Sequence, residues 1–472
     1  MLHEPLRYLG RTDASLESDA ACAIARHAHA GDVVARRAGR TVRRSEFVRA
    51  VAALAARLPE HEYVINLCTD RYRFMVGLAA ALSRRQITLL PPGNAPGALR
   101  AVAEDYPDLY VLAEALYVLA GAGDPALPSL IYPDTLDDPD TLDNDVGATE
   151  VPVVPTEQPA LILFTSGSTG RPKPVAKSWG TLVRSALSAG ERLGLARLPG
   201  ARVIGTVPHQ HSYGLESLIL LGLQHGLVVD AGRLLFPGDI RAAIEAAPGP
   251  RILVTTPVHL RALVAEPDGM PPVDLILSAT APLPAELAAR AEACFDAKLI
   301  EIYGCTEAGQ IATRRTVQDE DWRCFDGVAL HGGEGGTWAE GAAVEGTALL
   351  HDVISLTGPA TFRLGGRSAD LVDVAGKRTS LAHLNHQLLG IDGVTDGVFF
   401  MPEPDGRKVA RLAALAVARG LTPEAILLLL RERIDAAFLP RPLVLVEALP
   451  RDALGKLPRE ALLELIGRRQ DG

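Results

Sequence analysis

Between about residues 60 and 305, short apolar runs alternate with longer amphipathic stretches. The apolar runs, closed off by polar or turn-forming residues, predict strands over 63–67, 87–90, 109–112, 161–164, 203–207, 252–255, 273–277 and 299–303. Between them, apolar residues at three- and four-residue spacing predict helices over 71–83, 181–193, 257–264 and 284–295, with Asp70 as N-cap of the first. Such alternation predicts α/β layers around largely parallel sheets, since parallel neighbours need a crossover connection. The stretch 124–159, rich in Pro, Asp and Thr, reads as a connection between two α/β halves. After about Asp321 the pattern changes, and the glycine-rich HGGEGGTWAEGAAVEG predicts turns between short strands. Strands over 371–374, 394–401 and 412–417, with helices over 381–389 and 423–437, complete a compact α+β unit of about 100 residues.

The chain has 472 residues, which suggests roughly three domain-sized units. Its 48% hydrophobic and 22% charged content is ordinary for a globular protein with a substantial core. A net charge of −10 argues for solubility and against a nucleic-acid surface, while leaving room for a local anion site. Five scattered cysteines without a CxxC pair argue against a disulfide framework or a structural zinc site and fit a reducing cytosol. No signal peptide is read at MLHEPLRYLG, and the longest apolar run, near 425–430, is too short to span a bilayer. A cytoplasmic protein without a membrane span is the expectation.

Chemistry is densest at LFTSGSTGRPK, residues 163–173. A strand-like run empties into Thr165, Ser166, Gly167, Ser168, Thr169 and Gly170, and Lys173 closes the loop. Glycines admit a ligand close to the backbone, exposed N–H and hydroxyl groups surround phosphate oxygens, and the lysine adds a point charge. The pattern is not the P-loop of NTPases, which needs four residues between its first glycine and a Gly-Lys pair. A flexible Ser/Gly connector is the plain alternative, opposed by the strand before the loop, Pro172 within it and the lysine after it.

Four further patches follow in order. Residues 208–214 read PHQHSYG, residues 302–307 read IYGCTE, Asp352 precedes Gly366-Arg367-Ser368-Ala369-Asp370, and residues 449–459 read LPRDALGKLPR. Together they resemble the adenylate-forming superfamily of acyl- and aryl-CoA synthetases, luciferases and peptide-synthetase adenylation domains, over residues 163 to 459. The resemblance implies a large N-terminal AMP-binding domain, residues 1–369, of two layered α/β subdomains plus a β-rich subdomain. A small mobile α+β C-terminal domain, residues 370–472, would carry the catalytic lysine.

It also implies roles that agree with the residue chemistry. Glu307 lies just past a predicted strand, where ligands of open α/β sheets bind, and a carboxylate beside a triphosphate calls for a bridging Mg²⁺. In relatives the matching glutamate holds that ion, with a hydroxyl matching Thr165 or Thr306 nearby. Tyr303, with Gly304 beside it, would stack on adenine, and Ser278, Ala279 and Thr280 would run along the base. Asp352 would take the ribose hydroxyls, although Leu-His-Asp stands for the usual Thr-Gly-Asp and a turn aspartate is the competing reading. Arg367 would lie near the ribose, Asp370 at the hinge, and Gly376 where a pantetheine arm passes. His211, with Lys173 and Glu307 among the catalytic group, would lie beside the acyl pocket; a buried structural histidine is the alternative. Lys456 would bring a compact cation to the α-phosphate, where a carboxylate nucleophile and a phosphate meet as two anions.

Two departures stand out. The interval from Glu307 to Asp352 is short, predicting a trimmed β-rich subdomain, and His383-Leu384-Asn385 replaces a Glu-Ile-Glu signature. The wording VPHQHSYGLES, LILSATAPL, EIYGCTEAGQIATRR, DVAGKRTSLAHLNHQL and DGVFFMPE is similar to compact ligases of aryl-polyene and xanthomonadin-type pigment clusters. That similarity implies ATP-dependent activation of a hydroxybenzoate-like acid and loading onto the phosphopantetheine of an acyl carrier protein. His209, Gln210 and Tyr213 would then offer polar contacts within an apolar pocket. Free CoA as the thiol acceptor, or a non-catalytic nucleotide or acyl-AMP sensor, are the alternatives.

Overall fold

The computed structural model describes residues 20–91, 96–114, 127–138, 150–165, 173–333, 335–367, 371–374, 377–402, 411–451 and 457–467. Two large sheets dominate. The first has six strands in the order Lys173–Ser178, Pro159–Thr165, Ile87–Leu90, Tyr63–Asn66, Leu109–Ala113 and Ser129–Ile131, parallel except for the Lys173–Ser178 edge. The second has eleven strands. Its centre runs parallel through Val228–Asp230, Arg202–Gly205, Arg251–Thr255, Leu275–Ser278 and Lys298–Cys305. Antiparallel strands Gly309–Arg314, Trp322–Cys324, Thr361–Arg367 and Asp352–Gly358 extend it on one side.

Helix Arg71–Ser83 packs against strands of both sheets and is buried over most of its length, as a helix apolar on every side must be. Asp70 starts it: its carboxylate accepts from the N–H groups of Tyr72 at 2.9 Å and Arg73 at 3.1 Å. Helix Trp179–Leu193 begins at Ser178 and ends at Gly194, whose φ of 70° is the left-handed stop that glycine takes without strain.

The predicted strands and helices are present, with end shifts of a few residues. Three expectations change. The stretch read as a connection contains Ser129–Ile131, the outer strand of the first sheet, and Val153–Pro155, which pairs with Ala21–Ala23. A hairpin of Val33–Arg37 and Arg40–Arg43, ahead of the region read as α/β, closes the far edge of the second sheet. The helix expected over 423–437 ends at Arg431, because Asp435 is extended and turns its carboxylate to the Ala437 N–H at 2.9 Å, starting a separate 3₁₀ turn.

The glycine-rich text forms the three-stranded sheet Val328–Gly333, Gly336–Gly341 and Thr347–Leu350. Beyond residue 371, Leu384, Leu388, Phe399, Ala414, Ile426 and Leu430 belong to a core of their own. Among the described residues no helix is long and apolar enough to cross a membrane.

Asp70 also pairs with Arg37 at 2.5 Å, so its carboxylate serves a helix start and a partly buried ion pair together. Asp70→Ala should lower the unfolding free energy by about 2 kcal/mol. The measurement is the denaturant midpoint at unchanged slope; an unmoved midpoint would remove this role.

Candidate active site

Ser278, Ala279, Thr280, Tyr303, Thr306 and Glu307 lie at or just past the ends of central strands of the second sheet. Leu275–Ser278 and Lys298–Cys305 are parallel neighbours, so Ser278–Thr280 and the turn after Cys305 emerge side by side at their carboxyl ends. Ser278 is fully buried, and its Oγ has no hydrogen-bond partner among the described residues. Thr280 has φ of 78°, a conformation that is strained for a β-branched residue and that concentrates at ligand clamps.

Tyr303 is 8% exposed and packs on Trp322 and Phe362, with ring centroids 5.6 and 5.4 Å away. Its hydroxyl donates to Asp352 Oδ2 at 2.7 Å. Asp352 opens its strand directly opposite Arg367 in the antiparallel register. Gly304 is required here: a Cβ would come within 2.2 Å of the Gly309 carbonyl oxygen, at the bulge where the strands fold back.

Glu307 sits half-buried in that turn, beside Thr306. The turn is held from several directions. Lys177 Nζ donates to the Glu307 main-chain oxygen at 2.5 Å. The Ala308 N–H reaches Cys305 Sγ at 3.4 Å, and the Gln310 N–H reaches Glu216 Oε2 at 2.9 Å. Burial, with Glu307 adding to it, pushes the Cys305 thiol up to about 12, so it stays protonated.

The expected pocket donors face the main chain. His209 is buried, its Nε2 lies 2.9 Å from the Cys68 carbonyl oxygen, and its ring packs edge-on against Phe74 at 4.5 Å. Gln210 Nε2 donates to the same oxygen at 2.8 Å, and the Tyr213 hydroxyl donates to Thr255 O at 3.1 Å. Each of these side chains thus places a polar group on a main-chain carbonyl. His211 is half-buried and precedes the short turn Ser212–Gly214.

Thr165 ends its strand and pairs in register with the exposed Lys173, so the loop between them joins two antiparallel strands. Ser166, Gly167, Ser168, Thr169, Gly170, Asp370, Gly376 and Lys456 lie outside the described residues. Close to the last of these, Arg451 clasps Asp396 through Nε and Nη2 at 2.7 and 2.6 Å. Arg261 lies within electrostatic range of both partners. Burial lowers its pKa first, Asp396 raises it, and Arg451 lowers it again. Arg261 belongs to the helix Pro257–Leu263, which follows the strand Arg251–Thr255.

The sequence reading missed Lys177 and Glu216. Strand alternation puts residues 173, 175 and 177 on one face. A second lysine four residues after Lys173 was the available signal, obscured because no strand was read over 173–178, so nothing put the two lysines on one face.

Burial, then Arg71, lowers the His209 pKa from 6.5 to about 3. Both folded and unfolded imidazoles are neutral above 6.5; as pH falls from there toward about 3, only the unfolded one takes a proton, so stability is lost. Between pH 7 and 5 this contribution is about 2 kcal/mol. Unfolding free energies at the two pH values should therefore differ less in His209→Leu than in the unsubstituted protein; equal losses would contradict the assignment.

Residues 24–332 match the family model of the AMP-binding enzyme. A 4-coumarate–CoA ligase of Rhodobacter capsulatus is 30% identical over 239 residues, covering 51% of this chain and 60% of that protein. The match thus spans less than two thirds of that relative. A 4-coumarate–CoA ligase of Halorhodospira halophila is 30% identical over 308 residues, 63% of this chain and 74% of that protein. Among solved structures, ATP-bound MatB from Rhodopseudomonas palustris superimposes with a TM-score of 0.75 at 19% identity, over 91% of this chain and 94% of that one. The fold is the same.

Proposed function

We propose, for a chain that belongs to the AMP-binding enzyme family, ATP-dependent activation of a carboxylic acid to an acyl-AMP and transfer of the acyl group to a phosphopantetheine thiol. The observation that carries this reading is the Tyr303–Asp352 contact at 2.7 Å, flanked by Ser278–Thr280 and the Glu307 turn. An aromatic ring fixed to an acid suits a nucleoside, with the base on the ring and ribose hydroxyls on the carboxylate. Arg367, across the strand pair from Asp352, is assigned to the same ribose.

A carboxylate is a poor acyl donor, because its oxide leaves badly. In the first step its oxygen bonds to the α-phosphorus of ATP and the bond to the β-phosphate oxygen breaks, releasing pyrophosphate. Residues 165–170 and Lys173 are assigned to the phosphates, and Lys456 to the charge that builds at the α-phosphorus. The Glu307 carboxylate fits a hard divalent cation, since its main-chain oxygen is already taken by Lys177 and its neighbouring thiol is neutral. Mg²⁺ held there would supply charge neutralisation for the departing pyrophosphate.

In the second step the deprotonated thiol sulfur bonds to the acyl carbon, the acyl–phosphate bond breaks, and AMP leaves with the electron pair. Residues 1–369 and 370–472 are the two bodies in this reading, with Asp370 as hinge and Gly376 on the thiol's path. The one observation bearing on delivery by the C-terminal body is that Arg451 and Asp396 act electrostatically on Arg261. The five residues from Arg451 to Lys456 can reach at most about 18 Å.

A hydroxybenzoate-like or cinnamate-like aromatic acid is the proposed substrate, in line with the two 4-coumarate–CoA ligases among the relatives. Those names favour CoA as the acceptor; a carrier protein, as in pigment-type ligases, is the second reading and rests on the sequence wording alone.

ATP–pyrophosphate exchange across benzoates, cinnamates and fatty acids tests the activity. Aromatic acids should lead; exchange with none of them would sink the proposal, and a medium-chain fatty acid in front would remove the aromatic assignment. Lys456→Ala should slow the first step by about 10²–10³; near-normal exchange would exclude that role. Tyr303→Phe should raise the KM for ATP about fivefold, the loss of one hydrogen bond of about 1 kcal/mol, with the KM for the acid unchanged. Thioester formation on CoA compared with a phosphopantetheinylated carrier protein decides the acceptor.

A further inference from the structure

Lys177 lies on the Lys173–Ser178 strand of the first sheet, is 3% exposed, and donates across to the second sheet at Glu307 O, 2.5 Å away. Burial lowers its pKa, and Glu216, Cys305, Glu345 and Glu307 act in the opposite direction. Glu216 is itself buried on the π-helical turn Leu215–Leu220, a local irregularity that recurs at functional sites. Its carboxylate accepts from Ser212 Oγ at 2.7 Å, Ser185 Oγ at 3.2 Å and the Gln310 N–H at 2.9 Å. Gly309, at φ 78°, lets the turn come this close, since a Cβ there would lie 3.2 Å from Glu216 Oε2. Glu345 accepts from the Ser178 N–H and Oγ at 2.9 and 3.0 Å, anchoring the next residue of the lysine's strand.

From this geometry we infer that Lys177 is a positioning residue for Glu307: its ammonium fixes the main chain of the turn so that the carboxylate is held ready for a divalent cation. The inference rests on the metal-holding role proposed for Glu307. Lys177 clamps one side of the turn at Glu307 O, and Glu216 clamps the other at the Gln310 N–H. The cation binds a neutral carbonyl, so it fixes the turn without cancelling the charge that the metal requires.

The test compares the unsubstituted enzyme with Lys177→Met and with Lys177→Met/Glu216→Gln, which removes both buried charges together. Two readouts are taken: the Mg²⁺ half-saturation of ATP–pyrophosphate exchange, and the Mg²⁺-dependent rise in unfolding temperature with a non-hydrolysable ATP analogue. Loss of an outer partner of a metal ligand weakens metal binding or activity by about 10–100-fold. Both variants should show a shift of that size in Mg²⁺ half-saturation and a smaller Mg²⁺-dependent temperature rise, with the KM for the acid unchanged. If Lys177→Met does not fold, the double variant carries the test. Unshifted Mg²⁺ half-saturation in a folded variant would overturn the inference, leaving Lys177 only a neutraliser of Glu216. Absence of exchange in the unsubstituted enzyme would instead defeat the proposed function, while the temperature readout would still judge Lys177.

Discussion

One guanidinium ties the two sheets together. Arg71 opens the helix packed between them and is buried, and its hydrogen bonds among the described residues go to main-chain carbonyls. It donates to the carbonyl oxygens of Gly205 at 2.9 Å, Asp230 at 3.0 Å, Val207 at 3.3 Å and Gly232. These oxygens lie at or just beyond the carboxyl ends of two parallel strands, where the ladder stops and buried carbonyls need other donors. Burial lowers the Arg71 pKa to about 10, which still leaves it charged at neutral pH. Five donors in a fixed fork meet several carbonyls at once, as no lysine could.

Lys177 repeats the device on the other side of the seam. Unlike Arg71, it sits on a strand of the first sheet, and it binds a main-chain oxygen just past a strand end of the second. The candidate site therefore occupies a boundary that two buried cations hold in register. Loops from strand ends can form a geometrically defined site only when the strands beneath are fixed relative to one another. Here that requirement falls on the seam as much as on either core, and His209 and Gln210, both on the Cys68 carbonyl, add to it.

Much of this was legible in the amino-acid order because the periodic signals are local. Helix Arg71–Ser83 and strand Ile87–Leu90 appear with their predicted bounds, and Asp70 caps as expected. The hairpin Val33–Arg37/Arg40–Arg43 joins a sheet whose neighbouring strand begins at Val228, and no local pattern reports so distant a pairing. The candidate site divides in the same way. Tyr303, Asp352 and Glu307 stand in recognisable strings, whereas the bond between the Tyr303 hydroxyl and Asp352 depends on how an antiparallel extension folds back. His209 and Tyr213 were legible as polar residues, but not as donors committed to carbonyls, since the partners Cys68 and Thr255 lie far away in the chain.

The choice of carbonyl over carboxylate as the partner of a buried cation has a consequence for chemistry. A lysine paired with Glu307's carboxylate would cancel the charge needed to attract a divalent ion, and desolvation would make that pair hard to open. By taking the main-chain oxygen, Lys177 constrains the turn through a neutral acceptor. Its own charge is balanced by Glu216, whose oxygens are already engaged by two serine hydroxyls and an amide. The thiol of Cys305, held protonated, cannot add a second negative charge beside the carboxylate. If Glu307 holds a divalent cation as proposed, the turn separates two demands that usually conflict in a buried site: rigidity comes from neutral backbone acceptors, and charge is left to one carboxylate.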